Sequence, residues 1–217
     1  MKPLVFLLCL LPASAESLRY SINWASGLSL GEATVRADKT KEAWDFQVTL
    51  DASIPGFALR DAYHSAATLD LCSLELDKSF THGSRKADEK TNFDQQNHTA
   101  TRETNGGGGK SDLSVSSCAK DALTFLQFAR SELAQGRLAP QQTVVFGAPY
   151  NVRIEYTGAQ KIKVGDQAVD ADRILATVKG PTTDLTVEIF FARDAARTPL
   201  LAHIPLALGS FTVELIR

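Results

Sequence analysis

Apolar and polar residues alternate with a period of two along most of the chain. Tyr20, Ile22 and Trp24 alternate with Arg19, Ser21 and Asn23; Ala33 and Val35 with Thr34 and Arg36; Trp44, Phe46, Val48 and Leu50 with Asp45, Gln47 and Thr49. Side chains on a strand point alternately to opposite faces, so this pattern predicts half-buried antiparallel strands. Turn chemistry separates them at Ala25-Ser26-Gly27, Ala37-Asp38-Lys39 and Ser53-Ile54-Pro55-Gly56-Phe57. Further strands are predicted near 63–71, 73–81, 86–94 and 97–104, the last two polar at nearly every position and therefore exposed, strongly twisted or partly disordered.

One segment changes period. Between Ser117 and Gly136, Ala122, Phe125, Leu126, Ala129 and Leu133 recur at helical spacing, with Lys120, Thr124, Gln127 and Ser131 on the opposite stripe. This predicts one amphipathic helix over about 118–135, capped by Ser117 and ended by Gly136. Strands then resume at Thr143–Phe146, Asn151–Tyr156, Lys161–Val164, Arg173–Val178, Leu185–Phe191, Leu200–Ile204 and Phe211–Ile216. The expected fold is mainly β: a curved antiparallel sheet closing into a full or partial barrel, with the helix packed on or in it. A helix carrying Phe125 and Leu126 must bury them, and the concave face of the sheet is the surface available.

The N-terminus changes the picture of where such a fold works. Met1-Lys2, the apolar stretch from Pro3 to Leu11 and Ala13-Ser14-Ala15 read as a signal peptide cleaved after Ala15, with residues 16–217 forming one domain in the periplasm. The apolar run is far short of the roughly 20 residues that span a bilayer, and no other run in the mature chain approaches that length. The formal net charge of −2 becomes −3 when Lys2 leaves, so no basic field favours nucleic acid. Cys9 leaves with the leader. Cys72 and Cys118, an even pair in an oxidising compartment, are expected to form a disulfide, with two separate buried thiols as the alternative.

Candidate chemistry is sparse. Gly27-Leu28-Ser29-Leu30-Gly31 matches the nucleophile-elbow string, but that elbow needs a helix directly after the serine and an alternating strand follows here, so a hydrolase using Ser29 ranks third. The four histidines lack metal-ligand spacing, and neither metal nor cofactor is expected. Gly106 to Lys110 reads as a hairpin tip and not a phosphate loop, because the first glycine of that motif would fall on Thr104. His82, Arg85 and Lys86 form the densest cationic group and a candidate anion site, against the plainer reading of a solvated hairpin. Trp24, Phe57, Arg60, Tyr63, Phe125 and Phe128 are the candidate ligand-binding residues.

Tyr20-x-Ile22-x-Trp24 with Gly31-Glu32-Ala33, Arg60-Asp61-x-Tyr63, Asp121-Ala122-Leu123, the Gly158 to Arg173 stretch and Phe191-Ala192-Arg193-Asp194 with Pro199 and Gly209 stand in an order that resembles the exported bacterial family called domain of unknown function 3108. The resemblance runs over nearly the whole mature chain. It implies a periplasmic or envelope-associated protein built mainly of antiparallel strands, and supplies no activity or catalytic residues. The cysteine pair and the hairpin from His82 to Lys86 depart from the pattern. The first functional expectation is a non-catalytic binding protein for a lipid or other apolar or amphipathic ligand, by analogy with the architecture of periplasmic lipid and lipoprotein carriers. The second is a structural module that docks an envelope protein. A large empty apolar cavity favours the first; a barrel filled by Trp24, Trp44, Phe125 and Phe128 favours the second.

Overall fold

The computed structural model describes residues 14–54, 57–105, 108–206 and 209–217, so most of the expected leader and the Gly106-Gly107 tip lie outside the described residues. The first half of the chain is a meander of eight strands: β1 (Ser14–Trp24), β2 (Ser29–Lys39), β3 (Ala43–Ile54), β4 (Phe57–Thr68), β5 (Ser73–His82), β6 (Arg85–Asp94), β7 (Thr99–Thr104) and β8 (Gly109–Ser114). The short bridge β9 (Lys120–Asp121) leads into helix α1 (Ala122–Ala134). A second meander follows in β10 (Gln142–Val145), β11 (Pro149–Val164), β12 (Gln167–Lys179), β13 (Asp184–Ala192), β14 (Pro199–Leu206) and β15 (Gly209–Leu215).

All fifteen strands form one curved sheet in the order β8-β7-β6-β5-β4-β3-β2-β1-β15-β14-β13-β12-β11-β10-β9. Every pairing is antiparallel except that of β9 with β10. The first and last strands meet in the middle, with Tyr20 opposite Leu215 and Trp24 opposite Phe211. The barrel is therefore hydrogen-bonded where the two chain ends come together, and lacks a ladder between β8 and β9, where the chain is continuous.

That seam is held by other means. Cys72 at the β4–β5 turn is bonded to Cys118 just before β9, at an S–S distance of 2.04 Å. Ser73 N donates to Ala119 O at 2.9 Å, and the Gln95 amide donates to Ala119 O at 3.1 Å while accepting from Ala119 N at 2.9 Å. Further along, the guanidinium of Arg102 on β7 donates to Gly147 O, in the turn after β10. The left-handed backbone favours glycine at position 147, and a side chain there would also displace the ends of Lys78 and Glu89. The φ of Gly147 is +79°, and a Cβ would lie 2.7 Å from Lys78 Nζ and 2.8 Å from Glu89 Oε1.

The helix lies inside this frame and touches both halves of the sheet. Phe125 and Ala129 pack with Val144 and Val152, and Leu133 packs with Ile174 and Phe191. Leu123 and Phe128 meet Phe46, Ala67 and Leu71 on the other side. Each such side chain contributes roughly 1.5–3 kcal/mol by leaving water. The N-terminus is anchored by Asp121, whose buried carboxylate accepts from Leu123 N at 2.8 Å and Thr124 N at 3.1 Å. The same carboxylate accepts from Ser65 Oγ and Ser73 Oγ at 2.6 Å each and from Thr124 Oγ1 at 2.9 Å. Further along the helix, Arg130 forms a two-pronged pair with Glu16 of β1 at 2.7 and 2.8 Å.

The mainly β fold with one helix and a curved sheet is as the periodicity predicts. The expected turn at Ala37-Asp38-Lys39 is instead the end of β2, where Lys39 stands opposite Trp44, and β4 starts at Phe57 and not near 63. Three further differences each have a physical reason. The helix starts at Ala122 under an Asp121 cap and not at Ser117, because Cys118 sits at φ 53° and residues 120–121 pair with β10 before the helix begins. The stretches at 151–156 and 161–164 are one strand, β11, since Gly158 marks a bulge opposite Arg173 and not a turn. The polar stretches 85–94 and 99–104 are ordered as β6 and β7 by pairs across the outer face, such as Ser79 with Asp88 at 2.6 Å and Lys90 with Glu75 at 2.7 Å.

Candidate functional site: an apolar cavity under the helix

Between α1 and the inner face of β11–β13 lies a partly open cavity of about 430 Å³. Its roof is Phe125, Leu126, Ala129 and Leu133; its floor includes Val152, Ile154, Ile174, Ala176 and Val178, with Leu185, Val187 and Ile204 along one side. The two periodicities meet here, the helix showing its i, i+3/i+4 stripe to alternate residues of three strands. The lining carries no charged side chain, and Thr183 and the Tyr150 hydroxyl are its polar groups. The volume sits at the small end of the roughly 300–1,000 Å³ usual for small-molecule sites, and the apolar wall suits an alkyl chain or a compact apolar molecule.

The opposite part of the interior is filled. Trp44 stacks on Phe46 at 5.6 Å, and both belong to the cluster that takes up Phe128 and Leu123. Of the six candidate ligand-binding residues, Phe125 lines the cavity. Phe128 faces the filled side under the Lys120 ammonium at 4.7 Å, and Trp24 packs edge-on against Phe211 at 4.9 Å. Phe57 is exposed at the mouth of β4, and Arg60 points outward to Asp51 at 3.4 Å. Tyr63 donates to Asp61 at 2.6 Å and lies against Phe146, whose ring is part of the cavity wall. Burial, and then the Asp61 carboxylate, push the Tyr63 phenol well above its ordinary pKa, so it acts as a fixed hydrogen-bond donor. The rest of the wall was hidden in strands 11–13, whose alternation looks like any other half-buried strand.

The three cationic candidates do not converge. His82 pairs with Asp61 at 2.8 Å, Arg85 stacks over Phe80 at 5.9 Å, and Lys86 is exposed on the opposite face of β6. Ser29 is the exposed first residue of β2, so a strand follows it. Among the described residues, His64, Glu75 and Asp77 bring possible ligand atoms within 4.8 Å of one another. Lys90 already occupies that group, 2.7 Å from Glu75 and 3.6 Å from Asp77, while His64 lies 2.6 Å from Asp45. Burial together with the neighbouring Glu75 raises the Asp77 pKa, as crowded carboxylates do. The arrangement is an ion-pair network on the outer wall.

Among the described residues, no carboxylate lies within salt-bridge distance of buried Lys120, whose Nζ donates to Cys118 O and Cys118 Sγ at 3.1 Å each. Burial pushes its ammonium pKa down. Its place beside the disulfide ties the start of the helix to the seam.

The family described as "Protein of unknown function (DUF3108)" matches residues 19–216. The chain belongs to this family. No curated protein matches its sequence. Among solved structures it is similar to "Beta-barrel-like Protein of Domain of Unknown Function DUF1849 from Brucella abortus", at a TM-score of 0.68 and 7% identity, over 93% of this chain and 95% of that one. At that identity the likeness is one of fold. The DUF3108 match spans the curved sheet from within β1 to the end of β15, and its description assigns no chemistry to the cavity.

Proposed function

We propose that this is an exported periplasmic protein that binds an apolar or amphipathic ligand without transforming it. The observation that carries the reading is the cavity of about 430 Å³, walled by apolar side chains from α1 and strands β10 to β14 and left unfilled while the neighbouring side of the barrel is packed. A wall that carries no charged side chain among the described residues suits retention and release. Export rests on the N-terminal pattern. Cleavage after Ala15 leaves Glu16 as the first residue with its carboxylate still on Arg130, and N-terminal sequencing of protein from the periplasm is expected to begin at Glu16.

Titration with a fluorescent fatty acid tests the binding. Wild type is expected to show saturable binding, and Ala176→Phe, which fills the floor of the cavity, is expected to lose it while unfolding at the same or higher denaturant concentration. Absence of saturable binding by wild type, and of any retained ligand in native mass spectra of protein from its own periplasm, would refute the reading. A second reading, an envelope interaction module, draws on β11: among the described residues Arg153–Val164 pairs with β12 on one side and carries no strand on the other.

A further inference from the structure

The inner face of the sheet is not uniformly apolar. Strand alternation places Tyr63, Lys78, Glu89 and Arg102, from four adjacent strands, on the face that looks toward α1 and β10. Lys78 Nζ lies 3.0 Å from Glu89 Oε1, and Arg102 Nη1 lies 3.9 Å from Glu89 Oε2. These are sheltered groups, with side-chain exposures of 12% for Lys78, 10% for Glu89 and 31% for Arg102. Two cations thus share one carboxylate. On the same face Asp61 accepts from the Tyr63 hydroxyl at 2.6 Å and pairs with His82 at 2.8 Å, so its carboxylate is turned to those two groups and not to Lys78 or Arg102. Arg102 directs Nη1 to Gly147 O, yet its Nε is buried with no hydrogen-bond partner among the described residues. A sheltered guanidinium with an unpaired donor is an unfavourable arrangement for the protein alone.

The cluster adjoins the cavity through one side chain. Lys78 Nζ lies 4.5 Å above the ring of Phe146, and Phe146 is part of the cavity wall. Phe146 is thus shared between the cavity and the ammonium.

We infer that Lys78 and Arg102 receive the anionic headgroup, carboxylate or phosphate, of a single-chain amphiphile whose tail occupies the cavity. The inference rests on the binding reading above and names the ligand class for that site. A guanidinium with a free Nε matches the planar oxygens of such a headgroup, and the two cations share the single carboxylate of Glu89. Glu89 keeps the two cations apart from full mutual repulsion and limits how much negative charge the cluster accepts.

The test is calorimetric titration of delipidated mature protein with dodecanoate, dodecyl phosphate, 1-dodecanol and dodecyltrimethylammonium, and with acetate and inorganic phosphate as tail-free anions. The two anionic amphiphiles are expected to bind at least about tenfold more tightly than dodecanol, the cationic one more weakly still, and the tail-free anions without measurable heat. In Arg102→Met the preference for dodecanoate over dodecanol is expected to shrink to less than about threefold with dodecanol affinity unchanged. Equal affinity of wild type for dodecanoate and dodecanol overturns the headgroup assignment and leaves the binding reading standing. Binding of none of the four chains overturns both. Tight binding of inorganic phosphate alone overturns the amphiphile assignment in favour of a free-anion site. The wild-type comparison decides between these outcomes even if Arg102→Met does not fold.

Discussion

Asp121 is expected to be the most sensitive polar residue in the molecule. Replacing it with alanine removes the helix N-cap, which costs about 1 kcal/mol, and leaves the buried hydroxyls of Ser65, Ser73 and Thr124 without the acceptor they share. Ser65 and Thr124 can still pair with each other at 3.2 Å, so two of the three are stranded, at roughly 1–3 kcal/mol each. Releasing a buried carboxylate offsets part of this, and the net expectation for Asp121→Ala is about 3–4 kcal/mol. Asp121→Asn keeps an oxygen for Leu123 N and Thr124 N and can donate to a rotated serine hydroxyl, so it is expected to cost only about 1–2 kcal/mol. Urea unfolding followed by the fluorescence of Trp24 and Trp44 reads both variants as shifts in midpoint at constant slope. If Asp121→Ala costs less than about 1 kcal/mol, or if the two variants are equally damaged, the carboxylate is not the anchor of the helix.

Gly147→Ala combines a left-handed backbone with a Cβ driven into the Lys78–Glu89 pair, and is expected to lose about 2 kcal/mol in the same assay. Reduction of Cys72–Cys118, separated by 46 residues, is expected to lower stability by about 4 kcal/mol through loop-closure entropy, and thiol titration of denatured, unreduced mature protein is expected to find no free thiol. Burial alone would raise the Glu188 pKa, but the His203 Nδ1 hydrogen bond and Arg173 outweigh it and hold it below the usual carboxylate range. Its stabilising contribution is thus complete above the unfolded-state pKa of about 4.3 and fades as pH falls toward the depressed folded value, so Glu188→Gln is expected to flatten the acid limb of a stability–pH curve. Ser29→Ala is expected to unfold like wild type, and labelling of Ser29 by a fluorophosphonate probe would count against its reading as a strand residue.

Much of this architecture was legible in the sequence because period-two and period-3.6 patterns are local. Tyr20, Phe46 and Phe125 each announce a buried face without any knowledge of what they meet. Partners across the fold are another matter. Nothing in the spacing of Phe125 and Phe128 says that one lines a cavity while the other sits in packed core, since the difference depends on strands more than 20 residues away. The Lys78–Glu89–Arg102 group was equally hidden, because its members come from three strands and become neighbours only through register. The helix start was misplaced for a similar reason. Ser117 is a good cap in isolation, but the bonded Cys118 and the β9–β10 bridge take precedence over local propensity.

The pairing of β1 with β15 sets the order in which the barrel can be finished. Each meander is assembled from neighbouring hairpins and can form from short-range contacts as soon as its residues are available. The β1–β15 ladder joins residues 20–24 to 211–215, the strand pairing most distant in sequence among the described residues, and carries the highest loop-closure cost of them. A polypeptide delivered from its N-terminus must therefore hold β1 with one unpaired edge, and the apolar row Tyr20, Ile22 and Trp24 uncovered on that side, until its last nine residues arrive. The interval between delivery of the first strand and the last is the period in which this protein is open to edge-to-edge association, and a truncation removing only β15 extends it indefinitely.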